Sequence, residues 1–167
     1  MLFSSIVFLF TFLPVILILY YLVPRRLKNA LLLLCSLVFY AWGEPVYIFL
    51  MIFSIIFNYI SGLDIARNLK NRRAARGSLI FNLIVNLGIL GFFKYEGFLL
   101  DSLNRVLPVD IPYRELALPI GISFYTFQIL SYIIDVYRQN VKAQKNFMDF
   151  ALYVTMFPQL IAGPIVR

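Results

Sequence analysis

Charge-free apolar stretches and short charged loops alternate along this chain. The stretches cover residues 1–24, 29–43, 45–63, 77–93, 116–134 and 150–166. Crossing roughly 30 Å of bilayer hydrocarbon takes about 20 apolar residues of α-helix, and most of these runs approach that length. Within each run the apolar residues are continuous rather than alternating, which predicts helices and argues against a membrane β-barrel. The expected fold is therefore all-α, a polytopic transmembrane helical bundle of five to six membrane segments in a single domain over residues 1–167. One stretch breaks the pattern. Beyond Tyr95, Phe98, Leu99, Leu103, Val106 and Leu107 recur at helical spacing among Glu96, Asp101, Asn104 and Arg105. That alternation predicts one amphipathic helix lying in the outer interface, ended by Pro108, with Pro112 keeping the next loop extended.

Composition agrees with lipid as the solvent. The chain is 62% hydrophobic and 17% aromatic, with a mean hydropathy of +0.85, values that exclude an ordinary water-soluble domain and a disordered one. Cys35 is the single cysteine, so an intrachain disulfide is excluded and no metal site is expected. The first apolar run has no Lys or Arg before it and no small-residue cleavage site after it, unlike a signal peptide.

Charge then orients the helices. Of the net charge of +7, the positive residues collect in alternate loops: Arg25, Arg26 and Lys28; Arg67, Lys70, Arg72, Arg73 and Arg76; Arg138, Lys142 and Lys145. The intervening loops are neutral or acidic. The positive-inside rule predicts an N-terminus outside and the first, third and fifth loops in the cytoplasm. This single reading accounts for all three basic clusters through contact with anionic headgroups. It is preferred to an acyl-donor phosphate site at 67–76, and nucleic acid is not expected as a partner, because no aromatic-interleaved polar surface accompanies the charge.

Several intramembrane residues carry structural expectations. Pro14 predicts a kink in the first helix. Tyr40 and Trp42 suit an aromatic belt, and Gly43-Glu44-Pro45 predicts a tight turn between two antiparallel helices. Ser54, Asn58, Ser61 and Gly62 share one face of the third segment. Asn82 and Asn86 lie one turn apart in the fourth, near Gly88 and Gly91. Interhelical hydrogen bonding and close packing are preferred for them over a substrate path.

The candidate functional residues fall in the last two segments. Gln128, Ser131, Asp135 and Arg138 follow at intervals of three, four and three, which predicts a polar stripe on one face of the fifth helix. A stripe of this kind is expected to line a cavity or helix interface, with Asp135 and Arg138 close enough to pair. In the sixth segment Pro158, beside Gln159, is expected to break the helix near mid-membrane, and Gly163-Pro164 to break it again. Backbone broken at that depth survives only inside protein or against a cavity.

The run from Leu118 to Arg138, followed by Phe157-Pro158-Gln159-Leu160-Ile161-Ala162-Gly163-Pro164-Ile165-Val166-Arg167, closely resembles the membrane-bound O-acyltransferase family. Met1-Leu2-Phe3-Ser4-Ser5, Phe39-Tyr40-Ala41-Trp42 and Gly91-Phe92-Phe93-Lys94-Tyr95 resemble its bacterial alginate O-acetylation branch, which is related to the protein that exports D-alanine onto teichoic acids. The resemblance implies a multi-pass protein of the bacterial inner (cytoplasmic) membrane. A cytoplasmic donor such as acetyl-CoA or an acyl carrier would give up an acyl group, expected to be acetyl. An extracytoplasmic hydroxyl on a polysaccharide, or a partner acetylation protein, would receive it. No cofactor is expected to be resident. The general base of the family is an intramembrane histidine, and this chain has none. The resemblance thus implies the N-terminal portion of a longer acyltransferase, its histidine lying beyond Arg167. No residue here is nominated as catalytic, and Gln128, Ser131, Asp135, Arg138, Pro158 and Gln159 are expected to line the acyl passage. The partners implied are the bilayer and further C-terminal helices or a second chain. A non-catalytic scaffold or half of a split protein is the alternative, and a small channel is a weaker one.

Overall fold

The computed structural model describes residues 6–106 and 118–162. Among these residues the chain is helical and contains no strand. A π-helical turn, Phe8–Phe12, leads into α1 (Leu13–Leu22). A 3-10 turn at Arg25–Leu27 leads into α2 (Lys28–Gly43). Then follow α3 (Ile48–Arg67), α4 (Arg72–Val106), α5 (Ile122–Tyr137), α6 (Phe147–Thr155) and α7 (Phe157–Ala162).

Local chemistry sets the irregularities. Pro14 has no N–H to donate. The structure accommodates it in the first turn of α1, directly after a wide turn in which the Leu13 N–H reaches back to the Phe8 carbonyl. The anomaly expected at Pro14 thus takes the form of a π-turn on its N-terminal side. Residues 44–47 form the expected turn, and the Glu44 N–H closes α2 on the Tyr40 carbonyl at 2.8 Å.

The amphipathic stretch after Tyr95 is not a separate interfacial helix. It continues α4 without a break to Val106, because nothing in residues 94–97 interrupts the backbone ladder. At 1.5 Å per residue the 35 residues of α4 extend roughly 50 Å, well beyond a bilayer core of about 30 Å. Pro108 and Pro112 lie outside the described residues.

Two helices, Ile48–Arg67 and Arg72–Gly97, are long and apolar enough to cross a membrane. Only 33% and 17% of their apolar windows are buried within the protein. Core helices of a water-soluble domain would be mostly covered. Here Phe49, Phe53, Ile60, Phe81 and Ile84 point outward, a surface that suits lipid.

α3 is the central helix, packed against α4, α5 and α6, while α2 lies along α6. The main core brings together Met51, Ile55 and Ile65 of α3, Tyr125, Ile129, Ile133 and Val136 of α5, and Phe150, Ala151 and Val154 of α6. A second cluster consists of Phe8, Phe12, Phe39 and Phe157, with ring centroids 5.3–6.0 Å apart in tilted or edge-on geometry. It ties the N-terminal segment and α2 to α7.

α3 and α4 are joined by an asparagine triad in the apolar interior. Asn58 and Asn86 exchange amide hydrogen bonds in both directions, at 3.0 and 2.9 Å. Asn82 donates to the Asn58 carbonyl oxygen at 2.7 Å, and Asn58 also donates to the Ser54 backbone carbonyl at 2.8 Å. All three side chains are buried. Interhelical bonding, the preferred reading of these residues, is what the structure contains. Gly62 completes the face: its missing side chain leaves room for Tyr132 of α5, whose Cε1 would stand 3.3 Å from a Cβ there.

Candidate functional site

α5 begins at Gly121, whose φ of +76° is left-handed. A Cβ at this position would stand 2.9 Å from the Leu160 carbonyl oxygen of α7. Glycine is thus required twice, by backbone conformation and by the approach of a neighbouring backbone. This contact anchors the start of the candidate stripe against the broken segment.

The four stripe residues then separate. Gln128 is buried and its Nε2 donates to the Tyr153 carbonyl of α6 at 2.7 Å. Ser131 is exposed. Asp135 is half-buried and accepts from the Asn140 side-chain amide at 3.4 Å, whereas Arg138 is exposed and makes no ion pair with it. The four positions spread over roughly 80° of helix circumference, and the packing boundary runs between Gln128 and Ser131. Among the described residues the stripe thus holds one interface residue, Gln128, and a polar helix end.

The end of α5 is a Schellman motif. Asn140 N–H bonds to the Asp135 carbonyl, Gln139 N–H bonds to the Val136 carbonyl, and Gln139 takes φ of +65°.

The break in the last segment is present. α6 ends at Thr155, Met156 is extended with ψ of 110°, and α7 restarts at Phe157. Pro158, half-buried, sits in the first turn of α7, where its missing N–H is harmless. The break swings the Phe157 ring into the four-phenylalanine cluster. Gln159 belongs to α7, but its side chain, like Gly163-Pro164, lies outside the described residues.

Sequence reasoning missed a group of enclosed hydroxyls. The hydroxyls of Ser36 and Tyr40 are buried and have no hydrogen-bond partner among the described residues, and the buried Tyr125 hydroxyl lies toward the Ser54 hydroxyl. Tyr40 and Tyr125 belong to the same core cluster, and Ser36 lies one turn from Tyr40 on α2. Tyr40 is thus an inward residue of α2, whereas Trp42 is exposed and does fit an aromatic belt. The available signal was the Ser36–Tyr40 spacing of four, which marks a polar face in an apolar helix. Hydroxyls held in an apolar interior can orient a carbonyl or another hydroxyl.

The basic loops meet at one end of the bundle. Tyr59 Oη donates to the Lys145 carbonyl at 2.6 Å, and the Gln144 N–H donates to Tyr132 Oη at 2.8 Å. Asp149 accepts from Asn29, at the start of α2, at 2.8 Å and from Asn146, the cap of α6, at 2.9 Å. Between α3 and the 138–146 loop lies a cavity of about 770 Å³ edged by Arg67, Gln139, Lys142 and Lys145.

Curated relatives align with the whole of this chain. It is 49% identical over 171 residues to a Pseudomonas aeruginosa protein named "Probable alginate O-acetylase AlgI", and 47% identical over 171 residues to one of that name from Azotobacter vinelandii. The chain is thus similar along its whole length to proteins of that name. A Helicobacter pylori "Peptidoglycan O-acetyltransferase" also matches, at 37% identity over 196 residues. All three alignments take in 100% of this chain and 33%, 34% and 37% of the respective relatives. The chain thus spans about a third of the length of these relatives. No family model and no solved structure matches it.

Proposed function

We propose that this chain forms part of a membrane O-acetyltransferase that passes an acetyl group to hydroxyls of a cell-surface polysaccharide. The observation that carries this reading is the alignment of the entire chain, at 44–49% identity, with proteins named alginate O-acetylase. The finer topology belongs to the same proposal: five to six membrane segments in a bacterial inner membrane, the N-terminus outside and the three basic loops cytoplasmic. Their convergence at one end of the bundle supports that orientation, since each basic loop would have to lie on the same side.

In this reading acetyl-CoA or an acylated carrier delivers the acetyl group at the basic end. The α2–α5 interior, with Ser36, Tyr40 and Tyr125, orients the reacting groups. Gln128 holds α5 to α6 and acts as a positioning residue. The general base is a histidine, a role its unperturbed pKa of about 6.5 suits. It comes from outside this chain, from further helices or a second polypeptide, and a polysaccharide or acetylation partner protein takes the product.

The test is a chimera in which this chain replaces the aligned third of the Pseudomonas aeruginosa relative, expressed in a strain lacking its own copy. Restored acetyl ester on the exported polymer supports the proposal. Stable membrane insertion without acetyl ester would refute it and favour a non-catalytic scaffold.

A further inference from the structure

The cations around the cavity at the basic end are left uncommitted by the fold. Three carboxylates lie at this end, and each is occupied by neutral donors. Asp64 accepts from Ser78 and Asn68, Asp135 from Asn140, and Asp149 from Asn29 and Asn146. Among the described residues, none of Arg67, Lys142 and Lys145 is neutralised by an ion pair. By contrast, Lys28 of the first basic loop lies 4.3 Å from the centroid of the Tyr20 ring. Three cations held at the rim of one concavity, with no internal anion, form a site for an anion from outside the chain.

The apolar surroundings select the kind of anion. The cavity wall includes Leu63 and Leu69 of the α3 end and Val136 and Val141 of the α5 end. Ile56, Ile60, Leu63 and Arg67 fall on one face of α3 at spacings of four, three and four. Ile56 and Ile60 are exposed. An aliphatic track therefore descends the lipid-facing side of a candidate membrane span and ends at a guanidinium. A small soluble phosphate would use the cations and ignore the track, whereas a glycerophospholipid would use both. Arginine suits the phosphate through its planar fork, and the two lysines add point charges on flexible stems.

We propose that this cavity binds the phosphate headgroup of an anionic phospholipid through Arg67, Lys142 and Lys145, with one acyl chain lying along Ile60 and Ile56. The bound lipid would bridge the end of α3 to the 138–146 loop, which the protein itself fastens there through the Tyr59–Lys145 hydrogen bond. This inference rests on the reading that α3 spans a bilayer.

Membrane insertion is checked first, by resistance of the expressed full chain to alkaline carbonate extraction. Extraction of the chain would overturn the spanning reading itself, separately from the lipid site. The chain, purified in neutral detergent, is then titrated with phosphatidylglycerol and with phosphatidylcholine, and bound lipid is counted by native mass spectrometry. The chain is expected to retain phosphatidylglycerol preferentially. Arg67→Gln/Lys142→Gln/Lys145→Gln should lose roughly tenfold or more of that preference, since each basic residue near an anionic headgroup contributes measurably. The charge-preserving Arg67→Lys/Lys142→Arg/Lys145→Arg variant should keep most of it, which separates loss of charge from loss of fold. Arg25→Gln/Arg26→Gln, at the same end but outside the cavity, should lose markedly less of that preference. Equal binding of the two lipids, or an unchanged preference in the triple glutamine variant, would overturn the site. So would an equal loss in the Arg25/Arg26 variant, which would mean diffuse surface charge. Full displacement of the lipid by millimolar inorganic phosphate would assign the cavity to a soluble phosphate and overturn the lipid.

Discussion

The backbone of Gly121 lies directly against the carbonyl of Leu160, so that a Cβ at 121 would stand 2.9 Å from that oxygen while φ is +76°. The start of α5 and the short α7 therefore meet backbone to backbone. Gly121→Ala is expected to cost about 2–4 kcal/mol, from the left-handed conformation and the clash together. Gly77, with open space around its position in α4, is the control. Gly77→Ala should be neutral or stabilising by up to about 1 kcal/mol. Denaturation of both variants in mixed micelles decides this, and equal stabilities would show that the contact is dispensable.

The asparagine triad is a coupled unit. Asn58→Ala removes a partner from both Asn82 and Asn86 and is expected to cost about 1–3 kcal/mol. Asn86→Ala should cost a similar amount. The double variant should fall short of the sum by at least about 0.5 kcal/mol, because either substitution breaks the same reciprocal pair. Additive costs would mean that the two amides act independently.

At the end of α5 the Schellman position is filled by Gln139 at φ of +65°, where glycine carries no steric penalty. Gln139→Gly is expected to stabilise the chain by about 1 kcal/mol. The midpoint of denaturation should rise, and a fall would mean that the glutamine side chain contributes more than its backbone costs.

The enclosed Tyr40 hydroxyl separates stability from function. With no partner among the described residues, it is expected to be a liability of about 1–3 kcal/mol. Tyr40→Phe should leave stability unchanged or improved. In the proposed chimera the same substitution should lower polysaccharide acetylation several-fold. Full acetylation by Tyr40→Phe would remove this hydroxyl from the working interior.

Much of the architecture was legible in the residue pattern, because burial in lipid or protein demands long apolar runs. The helical character and the Gly43–Pro45 turn followed from local chemistry, as did the break ahead of Pro158. The inward polar face of α3 and α4 followed from spacing, since amides in an apolar helix need partners. The four residues of the α5 stripe were legible only as a set on one side of a helix. That α6 covers Gln128 and leaves Ser131 outside depends on where a neighbour stops, which no periodicity records.

The amino-acid sequence by itself determined that this protein is an apolar, all-helical chain with its positive charge gathered in alternate loops. Those properties arise residue by residue from transfer free energies and backbone hydrogen bonding. Only the tertiary structure decided which polar groups found each other. It paired Asn58 with Asn86 and left the Tyr40 hydroxyl without a partner among the described residues. It turned Asp64, Asp135 and Asp149 toward neutral donors, so that among the described residues Arg67, Lys142 and Lys145 have no ion-pair partner. Such choices join residues from helices distant in the chain, and they are settled by packing rather than by local preference.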